Sequence, residues 1–328
     1  MNHQQWNGRK GKRFRLSQRA WPVILTLAFI ALLAFGIAGF AGYFRERDKA
    51  RETTEEMRAV YYAAETESPG SGFTAEPPAA RDTGTPVPSA PPETAALPGE
   101  NATAAHVKAT EFSDRGVYPG NPGMEVSVRF QALRQKNRDI VGWIAIGSML
   151  DEPVVQRDNI YYMDHDAAGH PNANGAIFLD ALVPLETRPR ALILYGHNMR
   201  SGAMFGCLRN FESNAFYHNY PFITFDSLYE EGLYVVFSVC RVSVEEDARN
   251  SLDFYALNSA DAGERLRAVE TLKEQSVYTC TVDVQEQDQL LILVTCVDRD
   301  DERRLVAARR IREGETEEEL REQVRKSR

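Results

Sequence analysis

The feature that most constrains the fold is a series of eight short apolar runs that begins after residue 140. Turn-forming stretches, such as residues 169–175 and Glu231-Gly232, separate several of them. Short apolar runs bounded by turn residues are typical of strands, and many such strands in succession favour a closed barrel. We therefore predict a mainly β fold, a closed eight-stranded barrel, with strands at 141–146, 153–156, 176–179, 191–195, 221–225, 233–242, 289–295 and 305–311.

Helical patterns precede and interrupt these strands. Residues 125–137 carry apolar side chains at helical spacing, which predicts a leading amphipathic helix. Residues 245–276 contain two more helical patterns, directly before the run that ends at Cys296. The sequence therefore predicts a helical insertion between the sixth strand, 233–242, and the seventh, 289–295.

An uncharged segment near the N-terminus predicts a single transmembrane helix. Residues 21–44 carry no charge and would extend roughly 36 Å as a helix, against about 30 Å for a bilayer's hydrocarbon core. Residues 1–20 are basic and lack acidic side chains, so the positive-inside rule places them in the cytoplasm and the rest of the chain outside the cell. A cleaved signal peptide is the alternative, but its apolar core usually has only about 7 to 15 residues.

Composition divides the part of the chain that follows. Residues 45–118 are first charged, with a mildly helical pattern up to about residue 65, and then rich in Pro, Ala and Thr, which predicts an extended linker. Residues 119–312 form the predicted folded domain, and residues 313–328 a charged, helix-prone tail that is predicted to be solvated. The net charge of −9 conceals a basic first segment on an acidic remainder without a basic patch, which argues against nucleic-acid binding.

The four cysteines, at 207, 240, 280 and 296, have neither the spacing of a compact disulfide framework nor that of a CxxC metal site. No acidic cluster with the spacing of calcium ligands lies near the predicted barrel. We therefore predict neither a metal nor a cofactor. Cys240 ends an apolar run and is predicted to be a core residue.

Three reactive side chains lie at the ends of predicted strands. Cys296 closes the run LLILVTC, His197 follows the run at 191–195, and Arg304 begins the last run. A thiol is a weak nucleophile until it ionises, and a nearby imidazole can take its proton. A guanidinium on the next strand can hold the oxyanion that forms on attack. The pattern indicates thiol acyl-transfer chemistry, with Cys207 as a rival nucleophile that no Arg-led strand follows.

The order His, Cys at a strand end, Arg at the next strand resembles the sortases, and further segments resemble class B sortases in particular. The resemblance covers about residues 120–312, and the helical insertion before the Cys296 strand agrees with that class. Its segments are NRDIVGWI at 137–144, DEPVVQ at 151–156, YYMDHD at 161–166, NGAIFLD at 174–180, YGHNM at 195–199 and MFG at 204–206.

The resemblance implies a membrane-anchored cysteine transpeptidase on a Gram-positive-type cell surface. Cys296 would attack the Thr carbonyl of a C-terminal sorting signal and form a thioester, His197 would protonate the leaving amine, and Arg304 would hold the oxyanion or the signal's backbone. An amine of a peptidoglycan precursor or of a pilin would resolve the thioester. The implied partners are surface proteins that carry the signal, this acceptor, and the bilayer through residues 21–44.

The motif before the cysteine departs from the family's Thr-Leu-x-Thr-Cys. Ile292 replaces the first Thr, a change of little consequence in a strand, whereas Val294 at the variable position bears on which signal is accepted. Strand alternation points Arg303 and Arg304 to opposite faces, and Arg304 is the predicted catalytic residue because it directly precedes the apolar run.

Other residues near the site have predicted supporting roles. Tyr195, Val294 and Thr295 are predicted to contact the substrate. Asp298 is a candidate hydrogen-bond partner that would orient His197. Two alternatives to a transpeptidase stay open: a thiol hydrolase or peptidase that releases its acyl group to water, and a non-catalytic surface scaffold in which Cys296 is structural.

Overall fold

The computed structural model describes residues 51–64, 118–243, 251–296 and 302–328, together with Phe29, Leu32 and Leu33. Apart from those last three, which are helical and exposed, the predicted span at 21–44 lies outside the described residues. None of the helices in the described ranges is both long and apolar enough to cross a membrane. From residue 51 onward the described elements belong to one compact unit, Ala50–Arg328.

Eight strands close into a barrel, which confirms the fold predicted from the apolar runs. Their order around the barrel is β1-β2-β3-β4-β7-β8-β6-β5. The pairs β2–β3 and β4–β7 are parallel, and the other neighbours are antiparallel. The strands are β1 (Ile140–Ile146), β2 (Leu150–Val155), β3 (Ile177–Leu179), β4 (Ala191–Tyr195), β5 (Phe222–Ser227), β6 (Leu233–Ser243), β7 (Leu290–Cys296) and β8 (Glu302–Arg310).

Helices surround the barrel at both predicted places and at others. The leading helix is α2, and the insertion between β6 and β7 contains a 3₁₀ helix, Phe254–Asn258, followed by α4. A further 3₁₀ helix, Phe205–Glu212, follows β4. The α-helices are α1 (51–64), α2 (Val128–Lys136), α3 (Asn214–Asn219), α4 (Ala262–Glu274) and α5 (Glu317–Val324).

Strand β7 is apolar from Leu290 to Val294 because both of its faces are covered. It pairs with β4 on one edge and with β8 on the other. From Leu291 to Thr295 its side chains are fully buried. The insertion covers one face of this part of the sheet, where Ser238 of β6 donates a hydrogen bond to the carbonyl of Leu272 in α4 (2.6 Å). Strands buried on two faces lose the polar alternation of half-exposed strands, as the LLILV run does.

Helix α1 lies within the segment predicted to be an extended linker, yet it packs on the barrel. The ring of Tyr61 stacks on Trp143 of β1, with centroids 4.5 Å apart and planes 11° from parallel. The Nε of Arg58 lies 2.5 Å from Asp151 Oδ2, and Asp151 also accepts from the Trp143 indole N–H (2.7 Å). Met57 and Tyr61, four residues apart, are both buried. One apolar stripe on a charged helix is therefore enough to dock it.

The C-terminal segment also packs on the folded unit, although its many charges predicted a solvated tail. Helix α5 begins with a capping box in which Thr316 and Glu319 exchange hydrogen bonds between side chain and backbone. Its apolar residues Leu320 and Val324 are buried. The predicted solvated tail is thus an amphipathic helix that packs on the rest of the unit.

Candidate active site

The loop that carries His197 and the end of β7 lie side by side. Strands β4 and β7 are parallel, and their register places Tyr195 beside Val294. The pairing continues one step further, where the Gly196 N–H donates to the Val294 carbonyl (3.3 Å). His197 follows directly, and Cys296 ends β7 two residues after Val294. Because parallel strands end at the same edge of a sheet, the fold brings the two predicted residues together.

The imidazole of His197 is half-buried and held by backbone groups. Its Nε2 lies 2.7 Å from the carbonyl oxygen of Met163. A carbonyl can only accept, so Nε2 carries the proton and Nδ1 is the acceptor of the neutral ring. This hydrogen bond fixes the orientation of the ring and its tautomer, as proton transfer to and from a substrate requires.

A glycine makes this position of the imidazole possible. Gly175 adopts a φ of +60°, and a Cβ there would lie 2.6 Å from the Tyr162 carbonyl oxygen and 3.1 Å from the imidazole Cδ2. Only glycine occupies such a position without strain. The backbone of the segment before β3 thus packs closely against the imidazole of His197.

An arginine fixes the loop on the other side of His197. Arg209 donates from Nε to the Gly206 carbonyl (2.7 Å) and from Nη2 to the Met199 carbonyl (2.5 Å). The same Nη2 reaches the side-chain oxygen of Asn198 (3.2 Å). These bonds hold the residues after His197 against the 3₁₀ helix, and the sequence did not single out Arg209.

Tyr195 belongs to a buried hydrogen-bonded cluster with Asp180. Its hydroxyl donates to Asp180 Oδ2 (3.0 Å), which also accepts from the hydroxyl of Tyr255 (3.1 Å). Burial raises the pKa of Tyr195 well above its ordinary value; the negative charge of Asp180 adds to this, and the positive charge of Arg303 opposes it. Since Tyr255 lies in the Phe254–Asn258 helix, the cluster ties the insertion to the end of β4. Neither Asp180 nor Tyr255 was predicted as a site residue.

The two predicted substrate contacts on β7 are inside the protein. Val294 and Thr295 are both fully buried, and Tyr195 is only 5% exposed. Val294 lies between Tyr195 on β4 and Leu305 on β8. These side chains are buried beside the end of β7 that carries Cys296. Their contact with a substrate stays a prediction. Asp298 lies outside the described residues, so its role as a partner of His197 also stays a prediction.

The two neighbouring arginines of β8 lie on opposite faces of the sheet, as strand alternation predicts. Cys296 pairs with Arg303, and Thr295 pairs with Arg304. The Nε of Arg304 donates to Glu212 Oε1 (2.8 Å). Arg241 of β6 donates to both oxygens of the same carboxylate (3.0 and 2.8 Å). Burial raises the pKa of Glu212, but the hydrogen bonds from Arg241 and Arg304 outweigh it, so the pKa lies below its ordinary value.

The other three cysteines, Cys207, Cys240 and Cys280, are buried or partly buried. Cys240 is 1% exposed, which confirms it as a core residue, and burial raises the pKa of its thiol to about 12. Cys207 is buried in the Phe205–Glu212 helix, where its thiol donates to the Met204 carbonyl (3.4 Å). Burial also raises the pKa of Cys280. A thiol with a raised pKa is a poor nucleophile at neutral pH.

Comparison with known proteins identifies close relatives. No protein-family model matches the chain. Sortase B of Listeria monocytogenes is 33% identical over 183 residues, which cover 54% of this chain and 70% of that protein. Among solved structures, a Bacillus anthracis protein described as similar to sortase B aligns with a TM-score of 0.51 at 31% identity, covering 60% of this chain and 87% of that one. A Staphylococcus aureus sortase B–substrate complex aligns with a TM-score of 0.51 at 28% identity, covering 58% and 88%.

Proposed function

The chain belongs to the class B sortase family, and from that premise we propose that it is a cysteine transpeptidase with Cys296 as nucleophile and His197 as acid and base. The observation that carries the proposal is the parallel pairing of β4 with β7, which places the His197 loop beside the strand that ends in Cys296. A thiol and an imidazole at adjoining strand ends are the two groups that acyl transfer through a thioester needs.

The proposed reaction has two halves. His197 takes the proton of the Cys296 thiol, and the thiolate attacks the carbonyl carbon of the Thr in the sorting signal. A bond forms between sulfur and carbon, and the π electrons move to the carbonyl oxygen. When this oxyanion collapses, the C–N bond breaks and the amine leaves with a proton from His197. An acceptor amine then attacks the thioester, gives its proton to His197 and releases the thiolate. Arg304, at the start of β8, is the residue we propose to hold the oxyanion.

The proposed substrates are surface proteins that carry a C-terminal sorting signal. The Staphylococcus aureus relative has been crystallised as a substrate complex, which supports this class of partner. The proposed acceptor is an amine of the cell wall or of a pilin. We place the catalytic domain outside the cell on a single-pass anchor with a cytoplasmic N-terminus. Its support is the uncharged segment 21–44, which follows a basic stretch.

The test is a transfer assay with the full-length chain. The chain is incubated with a panel of pentapeptides that contain a Thr–X bond, with and without an amine acceptor such as oligoglycine or a diaminopimelate peptide. We expect an amide product that joins the Thr carbonyl to the acceptor, and no product with Cys296→Ala. Hydrolysed peptide alone with every acceptor would favour the thiol hydrolase, and no cleavage at all would favour the scaffold.

A further inference from the structure

We propose that one face of the barrel is a binding site for a helical peptide, and that its ligand is helix α1 of the same chain. The face, here called the α1 site, is formed by Trp143 of β1, Asp151 of β2 and Asp226 of β5. These strands are neighbours in the order β2-β1-β5, and none of them pairs with β4 or β7. The α1 site is therefore separate from the strand ends that carry the proposed active site.

The apolar part of the contact is centred on one aromatic ring of α1. Tyr61 is 4% exposed and stacks on Trp143, and its ring also meets the edge of Phe130 in α2, with centroids 6.0 Å apart. Met57, one turn earlier in α1, is 1% exposed. An amphipathic helix that buries residues at positions i and i+4 in a surface is a common mode of peptide recognition, and buried aromatic residues dominate the energetics of such interfaces.

The polar part of the contact depends on a buried carboxylate of the barrel whose positive partner comes from α1. Asp151 is 6% exposed and accepts hydrogen bonds from the Trp143 indole and from the Tyr62 hydroxyl (3.0 Å). Arg58 forms an ion pair with this carboxylate, and its Nη2 donates to the Asp151 carbonyl (2.7 Å). Without α1, Asp151 would keep the indole as a donor but lose Arg58, and a buried carboxylate without its partner charge is costly.

Further polar contacts extend along the helix. The Tyr61 hydroxyl donates to Asp226, whose carboxylate also lies 3.4 Å from Nη1 of Arg129 in α2. One turn before Arg58, the Thr54 hydroxyl donates to the side chain of Glu152 in β2 (3.2 Å). The barrel therefore offers α1 an apolar surface together with hydrogen-bond acceptors, as a groove that binds an amphipathic helix does.

The helix and its site are far apart in the sequence. Residues 65–117 lie between α1 and the rest of the folded unit. Closing a long connection costs conformational entropy, so α1 remains on the barrel because its own contacts outweigh that cost. Such contacts act with or without the covalent connection. We therefore expect the α1 site to retain its helix when the chain is cut between residues 64 and 118.

The experiment separates docking from the covalent connection. The full-length chain, in detergent, carries an affinity tag at its N-terminus and a protease site inserted between Pro88 and Ser89. It is bound to a resin at high density, so that the two fragments stay concentrated after the cut, and is then cleaved and washed. We expect the barrel fragment to stay on the resin and to elute only with denaturant. Complete loss of the fragment in the wash would overturn the proposal.

Variants of α1 test whether retention comes from the contacts described above. Tyr61→Ala removes the buried ring and should weaken docking by about 100-fold or more, so that the fragment appears in the wash. Arg58→Gln leaves Asp151 without its partner charge and should also speed release. Glu55→Gln, on the exposed side of α1, is the matched control and should leave retention unchanged. Circular dichroism of the uncut variants verifies that the barrel is folded. Equal retention in Tyr61→Ala and the unmodified chain would contradict the proposal.

A synthetic peptide of residues 51–64 gives a second readout on the same resin. Added to the cut chain, it should displace the barrel fragment in proportion to its concentration, because it competes for the α1 site. The same peptide with Tyr61→Ala should displace far less. Equal displacement by the two peptides would overturn the proposal. No step uses a substrate of the enzyme, so this result is independent of the proposed transpeptidase activity.

Discussion

The imidazole of His197 depends on backbone groups that are distant in the sequence. Nε2 binds the carbonyl of Met163, and Gly175 allows the chain to pass close to the ring. The sequence predicted His197 and Cys296 because a reactive side chain that directly follows an apolar run is visible as a pattern. It did not predict the Met163 contact or the Asp180 cluster, since these join residues that only the closed barrel brings together.

The choice between Arg303 and Arg304 shows the limit of sequence patterns at this scale. A period of two tells that neighbouring residues point to opposite faces, but it does not identify the faces. That requires the register between β7 and β8, which long-range pairing determines. The assignment of the oxyanion to Arg304 therefore stays a prediction.

At this scale we predict that Gly175→Ala lowers both stability and cleavage activity. The left-handed φ and the contact with the Tyr162 carbonyl together should cost about 1 to 3 kcal/mol or more. Gly202→Ala is the matched control, because Gly202 also has a positive φ, +83°, but no described atom lies within 4 Å of its added Cβ. Urea unfolding and peptide cleavage measure the difference. Equal losses of stability and of activity in the two variants would contradict the role of the close backbone packing against His197.

Secondary-structure elements were predicted best where the apolar pattern is long. All eight strands agree with runs read from the sequence, because each strand lines the barrel core. For α1 and α5 the sequence indicated helical character but not docking, since each helix buries few apolar residues among many charged ones: Met57 and Tyr61 in α1, Leu320 and Val324 in α5. Docking of such helices depends on the surface they meet, as Trp143 and Asp151 show for α1.

The contact between Glu212 and its two arginines gives a pH-dependent prediction. The folded-state pKa of Glu212 is lowered, so its stabilising contribution is present above the ordinary Glu pKa of about 4.3 and is lost as the pH falls through the folded value. We expect Glu212→Gln to lower the unfolding temperature between pH 7 and 5, and the difference from the unmodified chain to shrink below about pH 4.

The control is Glu270→Gln on α4, whose carboxylate is 61% exposed beside Lys273. An exposed pair contributes little, so this change should have no measurable effect at any pH. A Glu212→Gln effect that is the same at pH 3 and pH 7 would contradict the role of the carboxylate charge.

At the scale of the whole molecule, the barrel order explains the position of the site. Because β7 inserts between β4 and β8, the strands that carry the reactive residues become neighbours although about a hundred residues separate β4 from β7. Helix α1 extends the folded unit to residue 51, within the part of the chain that was predicted to be a linker. The composition of α1 gave no sign of this docking, because it depends on the barrel residues that α1 meets, such as Trp143.

The central claim is that Cys296 becomes acylated by a sorting-type peptide. The most direct measurement is the intact mass of the full-length chain after brief incubation with a Thr–X pentapeptide, followed by peptide mapping. We predict an added mass equal to the peptide up to its Thr carbonyl, located on Cys296, released by hydroxylamine and missing from Cys296→Ala. Cleavage of the peptide without an adduct, or an adduct on Cys207, Cys240 or Cys280, would contradict the account.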